Sequence, residues 1–410
     1  MMRCCRALVV ILALSMTANA ADWPSWRGPD QGHTAEKNLP LKWSAKDNVK
    51  WKVPLEHLGN STPVIWGDKI FLTQANKGGT VRGILCFNKA DGKQLWKKDV
   101  DYPDKERTWN AEWYANASPT TDGERVYACF SSAGLFCYDF AGKELWKRTD
   151  LGKWDHVYGN GSSPVLYGDL VIQMIGPIEA KKTNDIIAFD KKSGQTVWEV
   201  KTEVKQNGGC WGTPIIVKVN NQDQLIVGMP HQLKGFDPKT GKELWFCDGL
   251  TYLVYTSPLY ANGIAVQMSG FGGSALAVKL GGTGDITKDR LWHHPRNIQR
   301  VGSGIIVGEH IYILEETGVP HCYELATGKE VWQVEKRPQG SSWSSMLHSD
   351  GKLYVLTKQG DTHVFAASPK YELLATNRLG ETTNASIAPS DGELFIRTAK
   401  HLWCISEKKQ

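Results

Sequence analysis

The sequence predicts an all-β chain folded as an eight-bladed β-propeller, and three observations carry that reading. A short unit ending in tryptophan recurs: "KADGKQLW" (89–96), "DFAGKELW" (139–146), "DKKSGQTVW" (190–198), "DPKTGKELW" (237–245), "DITKDRLW" (285–292) and "ELATGKEVW" (324–332), with a degraded copy "SPKYELL" at 368–374. A second signature, such as "STPVIWGDKIFL" (61–72) or "SSPVLYGDLVIQM" (162–174), alternates with it. Its anchors Thr62, Ser118, Ser163, Thr213, Ser257, Gly304, Ser345 and Ser386 lie 41 to 56 residues apart, the spacing of four-stranded propeller units. Between them run short apolar or alternating segments punctuated by Gly-Asp, Asp-Gly and Thr-Gly turns, with no long helical stripe.

Taken in chain order, residues 1–20 read as a signal peptide. Arg3 and Arg6 give a positive start, "ALVVILAL" is a short apolar core, and "ANA" (18–20) is a small-residue cleavage site. The apolar run is too short to span a bilayer, and no later stretch approaches that length, so the mature chain is predicted to be exported, periplasmic or secreted, with no integral membrane segment. Residues 21–46 form a leader. The propeller proper is placed at 47–410, and "DNVKWKVPL" (47–55), with Trp51, supplies the eighth blade-final strand beside the six that end in Trp and the degraded one that ends at Leu374. The last unit, "LFIRTAKHLWCI", stops short of such a strand, so the N-terminal strand is predicted to close the last blade. Closing the ring in this way leaves no long exposed edge.

The composition is that of an ordinary folded protein. Loss of Arg3 and Arg6, with no acid among the first twenty residues, takes the formal charge from +5 to +3. Basic residues are not clustered, which argues against a nucleic-acid partner. A monomer is expected.

The "D-x-x-T-G-x-x-x-W" units resemble the tryptophan-docking repeats of the quinoprotein alcohol dehydrogenase-like propellers. That superfamily includes pyrroloquinoline quinone (PQQ) dehydrogenases and the propeller of the outer-membrane assembly machinery. The opening "DWPSWRGPDQG" (22–32) is similar to that of exported PQQ-like repeat proteins. The resemblance implies that Trp51, Trp96, Trp146, Trp198, Trp245, Trp292 and Trp332 are structural, each ring packed between adjacent blades with its N–H bonded to backbone. A large apolar ring with a single donor suits that place. Seven cysteines follow the signal segment; Cys86, Cys137, Cys322 and Cys404 share one repeat position with Ala188, Gly235 and Ala277, so they read as small buried residues. Cys129 and Cys137 either pair across a hairpin or remain free thiols. The sequons at Asn60, Asn116, Asn160 and Asn384 fall at or within one residue of the same repeat position and read as turn chemistry.

Function in a propeller sits where loops converge on the channel. The loops that follow each Trp-ending strand contain Trp109, Trp113, Tyr114, Trp154, His156, Tyr158, Trp211, Tyr252, Tyr255, Arg300 and Trp343, and these aromatics do not follow the docking period. They either form an aromatic-lined mouth that takes a planar ligand, a sugar or an extended peptide, or simply fill a wide channel.

Two function classes remain. The first is a non-catalytic exported propeller that binds a protein or glycan partner through its channel mouth and blade rims, with no cofactor. The alternative is a PQQ- and calcium-dependent dehydrogenase of small alcohols or sugars. The resemblance implies that such an enzyme carries a vicinal Cys-Cys disulfide, a calcium site and an Asp base. The only Cys-Cys here is Cys4-Cys5, inside the signal segment, and no spacing marks Glu112, Asp155 or Asn160 as ligands. No catalytic residue and no metal ligand is assigned. Zincin, Walker, nucleophile-elbow and zinc-finger patterns are absent.

Overall fold

The computed structural model describes residues 22–108, 114–154, 156, 158–178, 183–203, 208–297, 299, 301–315, 317–332 and 340–407. Short antiparallel sheets follow one another around a ring of eight blades. Blade 1 runs through Val64–Trp66, Lys69–Ala75, Val81–Asn88 and Gln94–Asp101, from the innermost strand to the rim. Blades 2 to 7 repeat this order. The described part of blade 6 comprises three strands, Ile305–Val307, His310–Leu314 and Pro320–Glu324. In blade 8 the outer strand is Val49–Pro54, antiparallel to His401–Ile405, with Trp51 opposite Cys404. The first and last described strands of the propeller therefore share a sheet.

Each repeat builds the joint between one blade and the next. The indole Nε1 of Trp51 donates to Lys89 O of blade 1 at 3.0 Å, Trp96 to Phe140 O at 3.0 Å, and Trp146 to Lys191 O at 3.0 Å. Trp198, Trp292 and Trp332 reach Pro238 O, Leu325 O and Ser368 O at 3.1, 2.9 and 2.9 Å. The turn glycine of the following unit lies under the ring. A Cβ on Gly194, which has φ +72°, would stand 2.7 Å from the Trp146 indole, and Gly92, Gly142, Gly241 and Gly328 are placed alike against Trp51, Trp96, Trp198 and Trp292. Glycine is needed there twice over, for the left-handed backbone and for the close approach.

A register shift precedes the indoles of Trp51, Trp96, Trp146, Trp198, Trp245 and Trp292. Cys86 faces Trp96 while Phe87 faces Gln94, so Leu95 is the extra residue of a β-bulge; Leu145 and Val197 stand in the same place in blades 2 and 3. The bulge reorients the following side chain, turning Trp toward the neighbouring blade. It leaves the extra aliphatic residue at the surface, as with Leu95, Leu145, Val197 and Leu291. The small cross-strand position faces the indole directly: Cys86, Cys137, Ala188 and Cys404 lie opposite Trp96, Trp146, Trp198 and Trp51. All seven cysteines of the described residues are buried and free. Cys129 pairs in register with Leu135, and Cys137 with Tyr127, so the two thiols are not cross-strand partners.

Trp245 departs from the pattern. The corresponding turn of blade 5 is longer, carrying Gly284–Asp285 and the 3-10 turn Thr287–Asp289, and Gly284–Asp285 pairs in parallel with the strand that bears Trp245. The indole instead lies on its own sheet, where a Cβ on Gly235 would be 2.3 Å away, and donates to Gln224 Oε1 at 2.8 Å.

A second ring of contacts runs nearer the axis. Backbone N–H groups donate to the hydroxyl of the next blade: Thr62 to Ser118, Ser118 to Ser163, and Ser163 to Thr213, at 2.9–3.0 Å. Ser257 to Ser303, Ser303 to Ser345, Ser345 to Ser386 and Ser386 back to Thr62 continue it at 2.9–3.1 Å. In blade 6 the anchor is Ser303, one residue before the Gly304 that the sequence spacing picks out; a hydroxyl is what the contact requires. Between blades 4 and 5 no such bond forms, and Gly209–Cys210 pairs in parallel with Leu253–Val254 instead.

Placing a methyl on Gly194 (Gly194→Ala) is expected to lower the free energy of unfolding by about 1–3 kcal/mol in a denaturant titration. Gly351→Ala is the control, because Gly351 shares the positive φ (+70°) but has open space around its Cβ direction. It isolates the backbone strain from the lost indole contact, and its smaller cost is the expected contrast.

Candidate functional site

Residues 22–34 of the leader cross the bore. Trp23 N donates to Ile65 O of blade 1, and Pro24 O accepts from Thr121 N of blade 2. The chain then reaches the far side. Arg27 Nη2 donates to Gly304 O of blade 6 at 2.7 Å, Gln31 Oε1 accepts from Tyr260 N of blade 5, and His33–Thr34 pairs in parallel with Leu347–Ser349 of blade 7. The Arg27 guanidinium is buried, and burial lowers its pKa to about 9. His33 Nδ1 and His348 Nδ1 stand 3.0 Å apart, an arrangement that allows one shared proton and no more.

Trp26 lies between two cavities. One, of about 270 Å³, is bounded by the leader and by blades 2, 3 and 4. The other, of about 470 Å³, opens at the channel mouth and has Trp26 at its inner end.

The hydroxyl ring dictates the lining of the mouth. Fixing each blade at its Ser/Thr anchor turns the residue two positions earlier toward the axis in every blade. These are Asn60, Asn116, Gly161, Trp211, Tyr255, Val301, Trp343 and Asn384 in blades 1 to 8, and all eight line the larger cavity. Their order divides it. An amide arc runs through blades 8, 1 and 2, and an apolar arc, mostly aromatic, runs through blades 4 to 7 on the opposite side. Asn60 Nδ2 donates to Asn116 Oδ1 at 2.8 Å, and Asn384 Oδ1 is buried with no hydrogen-bond partner among the described residues.

The aromatic side is built as a stack. Trp211 and Tyr255 lie 4.7 Å apart at 12°, at the joint where paired strands replace the hydroxyl contact. Tyr158 meets both rings, and Phe271 lies 5.1 Å from Tyr255 and 5.8 Å from Tyr158. His156 packs 4.7 Å from Trp211, whose Nε1 donates to Gly159 O. Trp343 carries the Lys358 ammonium 3.6 Å from its ring centroid.

Among the residues singled out from sequence, Tyr158, Trp211, Tyr255 and Trp343 line the cavity and His156 supports it. Three lie elsewhere. Trp154 is 1% exposed in the core between blades 2 and 3. Tyr114 packs on Gly79 and beneath the Arg82 guanidinium, which is ion-paired with buried Glu106. Tyr252 is exposed and does not line the cavity. Each sits in a loop long enough to carry it away from the bore. Trp109, Trp113 and Arg300, with Glu112 and Asp155, lie outside the described residues.

Trp26, Phe271, Val301 and the three asparagines escaped sequence reasoning. Counting back two residues from each hydroxyl anchor identifies all of them except Trp26 and Phe271. Phe271 belongs to the turn "GFGG", where Gly270, Phe271 and Gly272 have φ of +83°, +56° and +71°. Asn160, one residue out of phase, turns away from the channel and donates to Ser162 O.

Fold and site together define a closed eight-bladed propeller with a strap across its bore and a two-sided cavity at its mouth. The model of the family described as outer membrane protein assembly factor BamB matches residues 35–150, 84–334 and 182–410, and the chain belongs to that family. Solved structures agree in fold. BamB from Moraxella catarrhalis is 13% identical, covering 88% of this chain and 97% of that one, with a TM-score of 0.62. The quinohemoprotein alcohol dehydrogenase ADHIIG from Pseudomonas putida HK5 is 11% identical, covering 95% and 81%, with a TM-score of 0.68. A europium-containing methanol dehydrogenase is 11% identical over 93% and 90%, with a TM-score of 0.68. No curated protein matches the sequence.

Burial holds the His348 pKa down to about 4, with His33 adding to the effect, and lowers that of His33; Arg27, Asp30 and Asp350 are the charged groups around the pair. The folded protein thus prefers both rings neutral, whereas the unfolded chain takes up protons near 6.5. Stability is therefore expected to fall as pH drops from about 6.5 toward about 4. The strap should become more susceptible to limited proteolysis over the same range, and His348→Gln should flatten that dependence.

Proposed function

We propose that this protein is an exported, non-catalytic propeller that binds a protein or glycan partner through its channel mouth and blade rims, acting in the periplasm or beyond the cell. The observation that carries the reading is the chemistry of the mouth cavity, whose described lining of aromatic rings, amides and three hydroxyl-bearing side chains (Tyr158, Tyr255 and Ser386) holds no charged side chain. Such a surface recognises shape and hydrogen-bonding pattern. It offers no nucleophile-and-base pair of the kind covalent or acid–base catalysis uses.

PQQ with calcium fits this lining poorly. The quinone carries carboxylates, and calcium takes hard oxygen ligands, carboxylates foremost. Among the described residues no group of three or more His, Cys, Asp or Glu is placed to hold a metal ion. Membership of the assembly-factor family favours a protein-binding role. Among the described residues no helix is long and apolar enough to cross a membrane.

The test is reconstitution. Purified protein mixed with PQQ and Ca²⁺ is expected to give no saturable quinone absorbance and no dye reduction with a panel of alcohols and sugars. Turnover under those conditions would overturn the proposal in favour of a dehydrogenase.

A further inference from the structure

We infer that the mouth cavity binds the terminal unit of a neutral saccharide chain, a deepening of the binding role proposed above and dependent on it. Three features argue for this ligand. The two opposed arcs match the two aspects of a sugar ring. Its C–H face packs on aromatic rings, and its equatorial hydroxyls need paired donors and acceptors. Here Trp211, Tyr255 and Trp343 stand across the bore from Asn384, Asn60 and Gly161, since blades 4, 5 and 7 oppose blades 8, 1 and 3.

The amide arc is polarised for such a partner. Asn116 spends its oxygen on Asn60, so its NH₂ remains a donor, and Asn384 adds a third amide side chain to the same side of the lining. The described lining itself carries no cation, the Lys358 ammonium lying on the Trp343 ring, and a purely apolar ligand would leave the amides unsatisfied.

The lip is shaped for a ligand as well. Phe271 is 39% exposed, with φ +56° in a turn of three successive left-handed residues. A bulky side chain in that conformation is strained, and such strain clusters at ligand clamps. Its ring neighbours Tyr255 and Tyr158 both line the same cavity.

The strap decides between an end and a passing chain. With Trp26 at the inner end and residues 22–34 spanning the bore, a saccharide can enter from one side only and must present a terminus.

Saturation-transfer NMR and tryptophan fluorescence with maltotriose and N,N′-diacetylchitobiose test this, with α-cyclodextrin as the endless control. At least one linear sugar is expected to bind at millimolar concentration or tighter, with transfer concentrated on the protons of one end and little dependence on salt. α-Cyclodextrin is expected to give no transfer. Phe271→Ala and Asn384→Ala are each expected to weaken binding about five- to tenfold, with unchanged circular dichroism reporting the fold. Absence of transfer from both linear sugars, equal binding of cyclodextrin, or affinity unaltered in both variants would overturn the inference. Those outcomes without PQQ turnover leave a propeller that binds a protein; PQQ turnover removes both readings.

Discussion

An indole lodged over a neighbour's turn glycine is the contact on which the architecture depends. A four-stranded blade buries little by itself; it becomes stable by pressing against the blades on either side. The Trp-ending strand makes that pressure directional. The bulge before the Trp turns the ring outward from its own sheet, the glycine of the next unit admits it, and the N–H finds a carbonyl there. Net gains of about 0.5–1.5 kcal/mol per hydrogen bond are small beside the burial of ring area, but they fix one orientation among many. The small residue facing the indole, cysteine opposite Trp51, Trp96 and Trp146, belongs to the same device. Burial pushes the Cys86 thiol up to about 12, so it serves as a space-filler.

The inner hydroxyl ring solves a different problem. Near the axis the blades converge, and each first strand is short, as in Val64–Trp66 and Val165–Tyr167. A side-chain hydroxyl from the next blade satisfies a backbone N–H that no strand can reach. Because this holds every blade at one depth, the position two residues earlier is geometrically free, and its chemistry varies from blade to blade, through Asn, Gly, Trp, Tyr and Val, without disturbing the fold. Blades 4 and 5 show how far that freedom extends. There the hydroxyl contact is replaced by paired strands, the docking Trp245 turns onto its own sheet, and Trp211 and Tyr255 stack at the resulting seam.

The period of tryptophans and Ser-Pro signatures, together with the orphan strand at 47–55, made the blade number and the shared terminal sheet legible. The bulges were not, because a one-residue register shift leaves no compositional trace. The site was half legible. Non-periodic aromatics pointed to the mouth, and four of them line it. Long loops misplaced others, since loop membership says nothing about direction: Trp154 folds down into the core while Tyr252 points out to solvent. The asparagines were set aside for their very regularity, although repetition at a channel-facing position is how a ring of ligand-facing groups arises. The strap could not be read at all, because its contacts are with blades far along the chain.

The pairing of Val49–Pro54 with His401–Ile405 bears on how the molecule is made. During synthesis the strap and the closing strand emerge early, yet their partners in blades 5 to 8 come last. Until then the nascent propeller is an open arc with a bare edge at each end, prone to pairing with other chains. Closure over so long a stretch of intervening sequence is entropically slow.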